Sequence, residues 1–248
     1  MHTWLMSKGW VEDIFCLNNK RVVIIAHSLG GLLMYIMLVE YCTQQWKEKY
    51  IDRLITVSAP FGGCSVSLKA VLSGYDKLPG TLKHRYKKAF KSATGIVYTF
   101  PNEHSYAMHE TLFEDKDNGK AYKLGSDDIV PDIVPDVLHK VWQENANDYV
   151  ASYLKNTGVP TTIVVATDDM AEHSYKYKDL RNSDVAEPIS TSYKQGDTLI
   201  PHTSLSIHVQ KGCLYSNYSY YEISNAEHTK ILGDKRFLKM VYYLCGCS

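Results

Sequence analysis

Arg21-Val22-Val23-Ile24-Ile25-Ala26-His27-Ser28-Leu29-Gly30-Gly31-Leu32-Leu33-Met34 is the stretch that decides the fold. Val22 to Ala26 is apolar and rich in β-branched residues, as a buried strand is. Leu32 to Val39 reads as a buried helix. Between them, Ala-His-Ser-Leu-Gly matches the Gly-x-Ser-x-Gly turn that carries a nucleophilic serine, with Ala26 in place of the first glycine. A serine on a tight strand-to-helix turn has strained backbone angles, so small neighbours are expected two residues before and after it, here Ala26 and Gly30. The helix that follows aims its N-terminus at the place where negative charge develops. The whole run from Val22 to Val39 is nearly as long as a membrane helix of about 20 residues. Two glycines, a histidine and a serine at its centre, with Arg21 and Glu40 at its ends, argue for strand, turn and helix instead.

The 248 residues suffice for a domain with a sizeable core, and 27 basic against 27 acidic residues leave no net charge. That balance speaks against a nucleic-acid partner. The cysteines form no Cys-x-x-Cys pattern, so no metal site is expected. In an oxidising compartment Cys213 would pair with Cys245 or Cys247, and Asn217-Tyr218-Ser219 would be a glycosylation site. Met1-His2-Thr3-Trp4 has no signal-peptide character.

In chain order, Trp4 to Leu17 reads as a helix. Ile51 to Ser58 is a second parallel-type strand, broken by Ala59-Pro60-Phe61-Gly62-Gly63. Residues 64–158 are irregular and are expected to form a cap over Ser28. They hold a basic cluster, Lys83-His84-Arg85-Tyr86-Lys87-Lys88, which reads as a solvated face, and a loop around Asp127, Asp128 and Pro131. Thr161 to Ala166 is a third strand, and a loop is expected from there to Gln195. Tyr218 to Ile223 is the last strand, and Lys230 to Tyr243 the last helix. The organisation expected is thus an α/β-hydrolase: core in 1–63 and 159–248, cap or insert in 64–158, with the C-terminal half of a mostly parallel sheet.

A serine nucleophile needs a base, and the base an orienting carboxylate, in the chain order Ser, acid, His. Ser28, Asp197 and His228 have that order, and His228 sits in a loop between the last strand and the last helix. Asp168 and Asp169 also follow a strand, so spacing alone leaves the acid open. The Leu29 N–H is the expected oxyanion donor. His27 reads as structural.

Ala-His-Ser-Leu-Gly-Gly, Trp46-Lys47-Glu48-Lys49-Tyr50-Ile51-Asp52 and Ser58-Ala59-Pro60-Phe61-Gly62-Gly63 together resemble the lecithin:cholesterol acyltransferase family, which includes phospholipid:diacylglycerol acyltransferases and lysosomal phospholipase A2. Phe100-Pro101 with Glu103-His104, Gly158-Val159-Pro160, Gly196-Asp197 before Pro201, and His228 with Ile231-Leu232 are similar to later blocks of that family. The resemblance gives the triad acid to Asp197. There the family reads Gly-Asp-Gly-Thr-Val-Pro and this chain Gly-Asp-Thr-Leu-Ile-Pro, a change that bears on the loop's shape.

The resemblance implies an enzyme without a cofactor. It would move a fatty acyl group from a phospholipid, through an acyl-serine, to a sterol, diacylglycerol, another alcohol or water, at a membrane or lipoprotein surface. It favours the secretory pathway, lysosome or extracellular space. Family members carry a segment before the nucleophile strand that holds more of the sheet and the second oxyanion loop. This sequence reads as lacking it, which leaves the nucleophile strand at a sheet edge. The alternatives are a lipid-binding remnant with impaired catalysis, and a lipase or esterase of another α/β-hydrolase family.

Overall fold

The computed structural model describes residues 2–74, 87–107, 109–124, 134–142, 147–180 and 187–246. Lys83 to Tyr86 of the basic cluster, the Asp127, Asp128 and Pro131 loop, and Cys247 lie outside these residues. The chain opens with α1 (His2–Asn18), β1 (Val22–His27), α2 (Leu29–Ile36), α3 (Gln44–Tyr50), β2 (Ile51–Val57) and α4 (Ser65–Ser73). It continues through β3 (Thr111–Asp115), β4 (Lys120–Lys123), β5 (Thr161–Thr167), β6 (Asp169–Tyr177), β7 (Ser190–Gly196), β8 (Tyr218–Ser224) and a last helix, α5 (Lys235–Leu244). It divides into two compact units: residues 1–59, 151–167 and 208–248, and residues 60–150 and 168–207.

The first unit is built on a four-stranded sheet in the order β1-β2-β5-β8, every pair parallel. The inner strands of such a sheet are buried on both faces, and β2 and β5 show it, while the outer β1 and β8 are largely half-buried or exposed. All seven residues of β5 are buried. Ile55, Val57, Val164 and Ala166 meet Phe237 of α5 on one face. The alternate residue Thr56 lies against Gly31 of α2 on the other. Leu32, Tyr35 and Ile36 of α2 are fully buried, each such aliphatic or aromatic side chain contributing about 1.5–3 kcal/mol. Among the described residues β1 pairs with β2 alone, and Ile25 is 45% exposed. Two segments far apart in sequence meet here through a buried lysine. Lys47 donates from Nζ to the carbonyls of Leu38 (3.0 Å) and Thr157 (2.7 Å), beside Gly158, whose φ of 77° suits glycine. Burial pushes the Lys47 ammonium below its ordinary pKa.

The second unit holds a mixed sheet in the order β4-β3-β6-β7. This corrects the loop expected between Asp169 and Gln195, because β6 and β7 pair antiparallel from Asp169 opposite Gly196 to Lys176 opposite Ser190. The buried face of β6 is Ala171, His173, Tyr175 and Tyr177, a strict alternation in which polar-tipped rings take the place of aliphatics. Tyr175 and Tyr177 pack with Phe113, Leu112, Phe100 and Leu68, and α4 is buried along its whole length. The Pro60-Phe61-Gly62-Gly63 turn is locked from several sides. Asn102 Nδ2 donates to the Phe61 carbonyl (3.0 Å), and a Cβ on Gly63 would lie 2.0 Å from the Phe100 carbonyl oxygen.

Candidate active site

Ser28 stands between β1 and α2 with φ 54° and ψ −130°. A non-glycine residue in this region costs about 1–3 kcal/mol and persists only where its surroundings hold it. Here the Ser28 N–H donates to the Val57 carbonyl (2.9 Å), and the Gly31 N–H donates to the Ser28 carbonyl (2.9 Å). The neighbouring strand end breaks in the same way: Ser58 has φ 45°, its N–H donates to Val164 O (2.8 Å), and its Oγ accepts from the Ala166 N–H (3.3 Å). The close packing of the turn falls on Gly31 and not on Gly30. A Cβ on Gly31 would lie 2.6 Å from the Ala59 Cβ and 3.2 Å from the Ala26 carbonyl oxygen, while a Cβ on Gly30 meets nothing within 4 Å.

His228 follows β8 and is 4% exposed. Its Nε2 lies 2.9 Å from Ser28 Oγ. With the ring proton on Nδ1, the serine hydroxyl donates to Nε2, as a general base requires. Leu29 is the first residue of α2, so its N–H has no intrahelical acceptor and lies at the positive end of the helix. His27, set aside in the sequence as structural, touches the same histidine. Its Nε2 lies 2.8 Å from the His228 carbonyl oxygen, and the two rings sit 4.7 Å apart, tilted by 46°.

Asp197 belongs to the second unit, directly after β7, and is fully buried. Its Oδ1 accepts the N–H groups of Leu199 (3.1 Å) and Ile200 (2.8 Å), which hold the carboxylate in a tight turn. Thr198 in that turn has φ 80°. The position where the resembling family has glycine therefore keeps a glycine-like backbone on a β-branched residue, a costly combination. Asp168, the competing acid, is exposed and accepts from Gln195 Nε2 at 3.3 Å. Asp169 accepts from the Met170 N–H at 2.7 Å. Cys213 is a free thiol. No helix among the described residues is long and apolar enough to cross a membrane.

A parallel sheet with helices on both faces, a serine on a strained strand-to-helix turn and a histidine after the last strand define an α/β-hydrolase. One chain of the solved Tle4-Tli4 complex shares the fold, with a TM-score of 0.61 at 12% identity over 91% of this chain and 59% of that one. The chain belongs to the lecithin:cholesterol acyltransferase family, whose model matches residues 5–130. Lysosomal phospholipase A and acyltransferase of Rattus norvegicus is 32% identical over 113 residues, 44% of this chain and 26% of that protein. Phosphatidylcholine-sterol acyltransferase of the same organism is 24% identical over 201 residues, 80% of this chain and 44% of that protein. The chain therefore spans between about a quarter and under half of the length of these relatives.

Proposed function

We propose that the chain carries the nucleophile and base of a serine acyltransferase or phospholipase, which takes a fatty acyl group from a phospholipid. The observation that carries this reading is the 2.9 Å contact between Ser28 Oγ and His228 Nε2 on the strained turn. Family membership and the names of the relatives support the substrate class. Ser28 Oγ attacks the ester carbonyl carbon as His228 Nε2 takes its proton. The Leu29 N–H donates to the resulting oxyanion. Collapse breaks the ester C–O bond, and the lysophospholipid oxygen leaves with the proton from His228. An alcohol or water then repeats the sequence on the acyl-serine. Asp197 is proposed as the acid that orients the imidazole and stabilises its charged form. Its full burial and its held carboxylate favour it over the exposed Asp168. The proposed setting is lysosomal or extracellular, at a lipid surface; the name of the first rat relative supports the lysosomal one.

A fluorophosphonate probe tests the reading on residues 1–248. The wild type should label at Ser28 and release fatty acid from phosphatidylcholine vesicles, Ser28→Ala should do neither, and Asp197→Asn should slow both by about 10⁴-fold, as neutralising a triad acid does. A wild type that does not label would refute the nucleophile. Near-normal labelling in Asp197→Asn, with collapse in Asp168→Asn, would move the acid.

A further inference from the structure

The histidine loop has a reach to make. It leaves β8 at one side of the sheet and must present His228 to Ser28 at the end of β1, on the other side. Three strand spacings separate them, about 14 Å. The loop turns sharply at Asn225, whose φ is 55°, and Ala226 and Ile231 sink into the core below it. One flank opens onto a cleft of about 480 Å³, lined by Glu227, Thr229, Lys230 and Asp234 among others. His228 thus sits, buried, at the far end of a long crossing. There His27 meets it.

We propose that His27 is a positioning residue that clamps the catalytic-base loop, a role that rests on the function proposed above. A carbonyl oxygen accepts only, so the 2.8 Å contact makes His27 Nε2 the donor to the His228 backbone. The bond acts on the main chain of His228 and leaves both ring nitrogens of that residue for catalysis. The tilted ring contact at 4.7 Å limits rotation of the His228 side chain. Because His27 is the last residue of β1 and Ser28 follows it, the same short backbone segment fixes the nucleophile and the base. Their 2.9 Å separation is then set locally, independent of how the remainder of the 225–229 loop moves.

His27→Phe keeps a ring against His228 and removes the donor. His27→Gln places a side-chain N–H at about the reach of Nε2, whereas His27→Asn is polar but falls short. The clamp predicts that in His27→Phe and His27→Asn the fluorophosphonate phosphonylates Ser28, with loss of fluoride, about 10- to 100-fold more slowly than in wild type, the scale of a 1 Å misplacement. On a water-soluble short-chain ester, kcat should fall with KM unchanged, and His27→Gln should recover most of the loss. Wild-type rates in His27→Phe would overturn the proposal, as would equal losses in the Phe and Gln variants at unchanged Tm. If the wild type itself fails to label, the function reading fails, and amide exchange over residues 225–229 reads the clamp without chemistry. Faster exchange in His27→Phe than in wild type and His27→Gln supports it, and equal exchange in all three refutes it.

Discussion

Two adjacent glycines on the nucleophile turn should answer the same substitution in opposite ways. Gly30 and Gly31 both lie in the first turn of α2, so replacing either by alanine gains the same helix propensity, about 0.8–1.0 kcal/mol. At Gly30 nothing opposes that gain, because the added Cβ meets no atom within 4 Å. At Gly31 the Cβ would stand 2.6 Å from the Ala59 Cβ, 3.2 Å from Ala26 O and 3.6 Å from the Thr56 Cβ. None of these is the end of a flexible side chain: Ala59 and Ala26 move only with their backbone, and Thr56 is fully buried in the sheet. Relief must come from sliding α2 off β2, at the overpacking cost of about 1–3 kcal/mol. The shared propensity term cancels between the variants, so their stabilities should differ by that cost, about 2–12 °C in Tm at 2–4 °C per kcal/mol for a chain of this size. Urea unfolding of both variants, with Gly31→Ala/Ala59→Gly as a relief of the clash, measures it. Gly31→Ala as stable as Gly30→Ala, or no rescue by Ala59→Gly, would refute the packing argument.

Thr198 holds φ 80° next to the proposed acid, so Thr198→Gly should stabilise the chain by up to about 2 kcal/mol, the released strain of about 1–3 kcal/mol less the glycine entropy cost of about 0.5–1. A lower urea midpoint in this variant would show that the backbone there is unstrained. A cluster around the buried His173 in the second unit sets an acid limit. His173 Nε2 lies 2.6 Å from Glu110 Oε1, and Lys194 Nζ lies 2.8 Å from the same oxygen. Burial pushes His173 below its ordinary 6.5, with Glu110 pulling the other way. Burial pushes Glu110 up, but the hydrogen bonds from Lys194 and His173 outweigh it and hold the carboxyl below 4.5. As pH falls past 6.5 the unfolded chain takes up the His173 proton first, so stability drops until the folded pKa is reached, by at most about 1.4 kcal/mol per pH unit. Glu110 adds a further loss from 4.5 downward through its folded pKa. His173→Gln keeps a donor toward Glu110 and should flatten the first decline; an unchanged slope below pH 6.5 would exclude His173 as its source.

What could be read from residues alone was whatever depends on neighbours in sequence. The apolar run of Val22 to Ala26, the small residues about Ser28 and the run of β5 announce strands, a turn and a parallel sheet; burial on both faces explains the lost polar alternation in β5, whereas β1 lies at the sheet edge with Ile25 exposed. The chain order of Ser28, Asp197 and His228 was equally legible. β6 and β7 were not. Their alternation is written in His173, Tyr175 and Tyr177, which a hydrophobic count discounts, and their pairing is settled by a partner about 20 residues away. The contacts that discriminate between like residues are tertiary. Gly31 is cramped and Gly30 is not because Ala59, from the end of another strand, lies against only one of them. Asp197 is buried where Asp168 is exposed because of where two strand ends fall in the second unit. His27 reads as one more apolar-strand histidine until the loop after β8, two hundred residues on, brings a carbonyl to 2.8 Å from its ring. No local pattern records that meeting, because it joins the end of β1 to a loop after β8 that only the tertiary fold brings together.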